Sequence, residues 1–139
     1  MIDYKRRISA FARSNGLEII YAFGSRAKEI LARIQGKKPH SAHPRSDLDL
    51  GIKSVRPLSV KEKVRIAIFF EDLFDISRVD VVSLPESPAI LAGEIVSGEL
   101  LYAANDKSEG DCQLYYMRRA ADLLPLERVR ARMVLGASK

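Results

Sequence analysis

Three short stretches in a fixed order constrain this chain more than any other feature. They are Gly24-Ser25 after an apolar run, Asp47-Leu48-Asp49 after a polar loop, and Asp80 inside Val79-Asp80-Val81-Val82. Side chains on a strand alternate between faces, so Asp47 and Asp49 share one face of any strand that carries them. A carboxylate within the apolar run 79–82 is unusual for a buried strand. On a neighbouring strand, Asp80 would complete an acidic cluster. Three clustered carboxylates do not all ionise without a cation, and oxygen donors suit Mg²⁺, which binds through few carboxylates plus substrate phosphates. Gly24-Ser25 lies between a strand-like run and a helical pattern. That places a turn, a hydroxyl and helix N-terminal N–H groups where a phosphate can sit. A phosphate cradle beside metal-binding carboxylates reads as nucleotide chemistry.

Taken singly, each signal has an ordinary explanation. Asp-x-Asp occurs on the wet face of half-exposed strands, and most Gly-Ser pairs are plain turns. The order gives the set its specificity: strand, Gly-Ser, helix, loop, Ser46-Asp47-Leu48-Asp49 strand, helix, apolar-Asp-apolar strand.

The rest of the chain supplies elements to carry it. Tyr4, Ile8, Phe11 and Ala12 predict a helix over 2–15, and the β-rich run 17–23 predicts a buried strand. Ala27, Ile30, Leu31 and Ile34 predict a helix ended by Gly36, and 37–46 reads as a proline-punctuated loop before a strand over 47–53. Ser59 with Glu62 is a capping-box pattern. It opens a helix whose apolar face is expected to hold Val64, Ala67, Ile68, Phe70, Leu73 and Phe74. A strand over 79–84, a helix over 88–97 and a short strand over 100–102 follow. Residues 103–110 read as a polar linker, and 111–135 as a basic helix broken or kinked at Pro125. Some connections are too short for parallel crossovers throughout. The expected class is therefore α+β: a small mixed sheet with helices packed mainly on one face. At 139 residues the chain is expected to form one domain over 1–139, with a core over 17–102 and a C-terminal helical extension over 111–135.

Composition narrows the class further. One cysteine, Cys112, excludes an internal disulfide, and no apolar run is long enough to cross a bilayer. The N-terminus lacks the apolar core of a signal peptide, so the chain reads as cytoplasmic, with no membrane partner. The net charge of +5 suits solubility, and equally a nucleotide, nucleic acid or acidic protein partner.

Gly24-Ser25-Arg26-Ala27, Ser46-Asp47-Leu48-Asp49-Leu50 and Val79-Asp80-Val81-Val82 resemble the DNA polymerase β-like nucleotidyltransferase superfamily. The resemblance is closer to its minimal nucleotidyltransferase branch, whose small domains are often encoded beside a HEPN-domain protein, and it covers about residues 17–102. Glu94 to Tyr102, with a helix ending at Gly98 before Leu-Leu-Tyr, also resembles that branch. The interval between Gly24-Ser25 and Asp47 is longer than usual there. The resemblance implies a nucleotidyltransferase fold in which Gly24 and Ser25 contact a triphosphate, with Arg26 and Ser46 beside them. It implies that Asp47 and Asp49 hold two Mg²⁺ ions, and that Asp80 completes the site and acts on the attacking hydroxyl. It further implies ATP or another NTP as substrate and a tyrosine of a HEPN-type toxin as acceptor, which makes the chain an antitoxin. Two alternatives stand beside this: an antitoxin that neutralises a HEPN partner by binding alone, and a small-molecule transferase of the aminoglycoside type. The last usually needs a further helical domain. Nucleic acid is not expected as a direct substrate, because no template-binding domain is present.

Other residues read as ordinary surface. His40 and His43 lack cysteine partners, and Lys37, Lys38 and Arg45 share their loop. Glu71, Asp72 and Asp75 read as a solvated helix end. Tyr115-Tyr116 with Arg118-Arg119 suit either packing or a partner surface. The basic stretch Arg118, Arg119, Arg128, Arg130 and Arg132 is the surface expected to steer an incoming partner.

Overall fold

The computed structural model describes residues 2–37 and 46–134, with side chains up to 124. The loop histidines, Lys38 and Arg45 therefore lie outside the described residues, as do the side chains of Arg128, Arg130 and Arg132.

Five helices and four strands alternate. Helix α1 (Tyr4–Ser14) is opened by Asp3, whose side chain accepts from the N–H of Arg6. Strand β1 (Leu17–Phe23) coincides with the buried strand expected. Helix α2 (Ala27–Ile34) and strand β2 (Leu48–Ser54) flank the long loop. Helix α3 (Val60–Phe74) begins with the full capping box: the Ser59 hydroxyl accepts from the N–H of Glu62, and the Glu62 carboxylate accepts from the N–H of Ser59. Strand β3 (Val79–Ser83), a 3-10 turn over Leu84–Glu86, helix α4 (Ala89–Val96), strand β4 (Glu99–Ala103) and helix α5 (Asp106–Val134) complete the chain.

The strands form one mixed sheet in the order β3-β2-β1-β4. β1 is antiparallel to β2 and β4, and β2 is parallel to β3. Because β1 is central, both its faces are buried and its side chains divide between two cores. Ile20 and Ala22 join Ile8, Ile30, Leu50, Ile66 and Phe70 in the larger core, against α1, α2 and α3. Ile19, Tyr21 and Phe23 join Leu84, Ala92, Ile95 and Val96 in the smaller one, against α4, with Tyr116 of α5 packed on it. Three helices thus cover one face, and α4 and α5 cover the other.

Three expectations are corrected. The buried face of α3 is Ile66, Phe70, Leu73 and Phe74, while Val64 and Ile68 are exposed. The run Val64-Arg65-Ile66-Ala67-Ile68-Phe69-Phe70 is apolar nearly all round, so periodicity alone does not set its phase. The expected linker 103–110 is mostly helix. Asn105 accepts from the N–H of Ser108, and Asp106 and Glu109 suit the positive end of the helix dipole. Of the break or kink expected at Pro125, the break does not occur: α5 runs through it. An internal proline removes one backbone hydrogen bond, and a long helix can absorb that by bending.

Candidate active site

The register of the sheet assembles the site. Phe23 at the end of β1 lies opposite Asp49 on β2, and Asp49 lies opposite Asp80 on β3. The turn at Gly24-Ser25 follows Phe23 directly. Turn and carboxylates therefore meet at one end of three adjacent strands. Leu48 and Leu50 point into the larger core. By alternation, Asp49 and Gly51 point to the other face, where a β-carbon on Gly51 would meet Ile95 of α4 at 2.3 Å.

Gly24 has φ of +80°, and a β-carbon there would lie 2.6 Å from Oδ2 of Asp49. Only glycine combines this backbone conformation with so close an approach of the carboxylate. Ser25 is exposed. Arg26, at the N-cap of α2, makes no side-chain cap; the N–H of Ala27 donates to the Gly24 carbonyl at 3.4 Å, and the N–H groups that follow in the first turn suit an anion.

Arg26, expected beside the phosphates, is engaged within the protein. It is 9% exposed, and its guanidinium donates to both carboxylate oxygens of Glu29, at 3.2 and 2.7 Å. It also donates to the carbonyl of Ser46 at 3.1 Å. A guanidinium so engaged ties α2 to the residue before Asp47, and this carbonyl contact is the described role of Ser46.

Asp47 and Asp80 are each partly exposed. Asp49 is partly buried too, and its carboxyl is held above the usual range, first by burial, then by the charges of Asp80 and Asp47. The site thus carries more negative charge than its surroundings favour. Arg78, which the sequence reading did not single out, responds to that charge. Its Nε lies 3.3 Å from Oδ1 of Asp80 and 3.6 Å from Oδ2 of Asp47. Its carbonyl accepts from the N–H of Leu48, at the first rung of the parallel ladder. The available signal was its position two residues before Asp80, on the same face by strand alternation.

These observations fit a divalent cation at the triad. The donors are all carboxylate oxygens, and a guanidinium already stands in as a cation between two of them. Among the described residues, no three His, Cys, Asp or Glu side chains gather closely enough to enclose an ion alone. Mg²⁺ does not require that, because it retains water and takes substrate phosphate oxygens. An apolar groove of about 470 Å³ between α4 and α5 is lined by Ile90, Gly93, Met117 and Leu124 among others and contains none of the triad. Its polar lining is Glu94 and Ser97, apart from the carboxylates that the strand register brings together.

Glu71 also differs from its expected role. Its carboxylate accepts from the N–H of Val79 at 3.0 Å, tying the end of α3 to the start of β3.

The fold is that of the nucleotidyltransferases. The chain belongs to the polymerase beta nucleotidyltransferase family, whose model matches residues 6–107. No curated protein matches the chain significantly. Among solved structures it is similar to a mutant of a MntA toxin–antitoxin complex, with a TM-score of 0.71 and 18% identity over 94% of this chain and 98% of that one. It is similar to a toxin–antitoxin structure with AMP-PNP, with a TM-score of 0.69 and 20% identity over 94% and 98%. A third similar structure contains a tri-AMPylated HEPN toxin of Shewanella oneidensis in complex with its MNT antitoxin. There the TM-score is 0.67, with 18% identity over 95% of this chain and 96% of that one. At these identities the likeness is one of fold. No described helix is long and apolar enough to cross a membrane.

Proposed function

We propose that this chain is a Mg²⁺-dependent adenylyltransferase that moves AMP from ATP to a hydroxyl of a HEPN-type toxin, and thereby acts as its antitoxin. The observation that carries this reading is the meeting of the Gly24 turn with Asp49 and Asp80 at one end of three neighbouring strands. The structural neighbours support the choice of nucleotide and acceptor. In one neighbour the AMPylated toxin is a separate protein in complex with the antitoxin, and in this reading the acceptor likewise arrives on a second molecule whose docking orients it.

In this reading Ser25 and the first-turn N–H groups of α2 beyond Ala27 hold the triphosphate. Asp47 and Asp49, with Asp80, would hold Mg²⁺, which when bound neutralises charge on the attacking and leaving oxygens of an in-line displacement. Asp80 takes the proton of the acceptor hydroxyl. The hydroxyl oxygen bonds to the α-phosphorus, the bond from that phosphorus to the bridging oxygen breaks, and pyrophosphate leaves. Arg26 keeps the start of β2 in register with the Gly24 turn and acts through position.

The test is to incubate the chain with ATP, Mg²⁺ and the protein encoded beside it, then weigh both intact. The partner should gain AMP, and replacing Asp47 and Asp49 together by Asn should abolish the gain. If the partner gains no mass and the double variant neutralises it equally well, the chain acts by binding alone.

A further inference from the structure

We propose that Arg78 is a resident counter-cation of the metal-free site, which a divalent ion must displace and which nucleotide phosphate draws away. The inference rests on the metal-dependent reading above and adds a residue and a coupling to it.

Arg78 touches the oxygens that a metal would need. Its Nε is 3.3 Å from Asp80 Oδ1 and 3.6 Å from Asp47 Oδ2. An arginine stays charged at every working pH, so it leaves such a site by displacement and never by losing its proton. Its backbone is fixed by the Leu48 N–H to Arg78 carbonyl bond, whereas its side chain is 68% exposed and can swing. The two carboxylates are 41% exposed, so each contact is screened and easily broken.

Displacement leaves the guanidinium without a partner unless another anion is near. The nearest expected anion is the triphosphate held at Gly24-Ser25, and a guanidinium binds phosphate oxygens in a bidentate, charge-assisted way. Nucleotide therefore removes the competitor of the metal, and by linkage the metal favours nucleotide equally. The site loads both together and resists idle loading with metal alone.

The experiment measures Mn²⁺ binding by titration calorimetry and by the spin-resonance signal of free Mn²⁺, with and without AMP-PNP. It compares the wild type with Arg78→Gln and Arg78→Lys. Without nucleotide, R78Q should bind Mn²⁺ about threefold to tenfold more tightly than the wild type, the scale of two partly exposed ion pairs. R78K keeps the charge and should stay near the wild type. With AMP-PNP the difference should shrink. The metal-free melting temperature of R78Q should fall, because Asp47 and Asp80 lose their counter-charge. Equal or weaker Mn²⁺ binding by R78Q would overturn the inference and leave the metal site standing. No Mn²⁺ binding by any of the three proteins, even with AMP-PNP, would overturn the metal reading and this inference with it.

Discussion

Gly24 and Asp49 are in such close approach that a β-carbon on residue 24 would lie 2.6 Å from Oδ2 of the carboxylate. The turn proposed to receive phosphate and the central acid of the triad are therefore one packing unit. Gly24→Ala should strain the backbone, whose φ is +80°, at about 1 to 2 kcal/mol. It should also push Asp49 out of line. Displacing a reacting group by about 1 Å can cost on the order of a hundredfold in rate. We expect a folded variant with transfer reduced on that scale, measured as AMP incorporation. Wild-type transfer by folded G24A would remove Asp49 from the reaction.

Asp80→Asn should abolish transfer and raise the metal-free melting temperature near neutral pH. Asp49 is held above the ordinary carboxylate range by burial and then by Asp80 and Asp47. A raised native value contributes stability that is complete below the unfolded value, about 3.9. That contribution is lost as pH rises through the raised native value. The metal-free wild type should thus lose stability just above the usual carboxylate range. D80N should lose less, because the larger of the two charges acting on Asp49 is gone. Thermal melts in a chelating buffer between pH 3.5 and 7 decide it, and identical profiles would disprove the coupling.

Arg26→Lys separates a positioning role from direct phosphate contact. Lysine keeps the charge but cannot hold Glu29 through two bonds while also reaching the Ser46 carbonyl. Loss of these contacts by a buried guanidinium should destabilise the fold by about 1 to 3 kcal/mol. Denaturant midpoints and the KM for ATP should be read together. An intact midpoint with a KM raised several-fold would put Arg26 back on the phosphates.

The site was legible in the sequence because its parts are local and their order is specific. β1 was bounded by glycines, and the acids stood out against apolar neighbours. What sequence could not supply was register and phase. Arg78 looks like one more polar residue in Ile76-Ser77-Arg78 until β2 and β3 pair and bring Asp47 beside it. Arg26 is next to the Gly24-Ser25 turn in sequence, yet only the fold shows Glu29 and Ser46 claiming it. The exposed Val60, Val64 and Ile68 share one side of α3 at a spacing that reads equally well as core. The acidic start of α5 has the composition of a linker, and Asn105 is what makes it a helix terminus.

Tyr21→Phe should weaken the attachment of α5 to the sheet. The buried Tyr21 hydroxyl donates to Oε2 of Glu109. Its pKa is raised far above the usual tyrosine value, by burial first and then by Glu109. Loss of a hydrogen bond to a charged group should cost about 1.5 to 3 kcal/mol near pH 7. The phenol also contributes stability that is complete below the unfolded value of about 10 and is lost as pH rises above it. Cys112, raised chiefly by burial, adds an earlier decline beginning near the free thiol value, about 8.5. Urea midpoints from pH 7 to 11 should show a flatter decline above pH 10 in Y21F, with the earlier step unchanged. An unaltered upper decline would show that Tyr21 ionises without opposing the fold.

Gly93 and Ala120 form the close contact between α4 and α5, and a pair of substitutions tests it. A β-carbon on Gly93 would meet the β-carbon of Ala120 at 2.5 Å, and neither short side chain has a rotamer that relieves the clash. Gly93→Ala should gain up to about 1 kcal/mol of helix propensity. It should lose about 1 to 3 kcal/mol to overpacking, for a net destabilisation. Ala120→Gly alone should cost about 1 kcal/mol through the propensity of glycine in a helix. Together the two changes restore the glycine–alanine contact with the roles exchanged. The double variant should therefore be more stable than the sum of the single effects, by about 1 to 2 kcal/mol of coupling. Chemical denaturation of the four proteins closes the cycle. Strict additivity would mean that α5 moves freely over α4, and that Tyr21 with Glu109 holds it to the sheet without help from this contact.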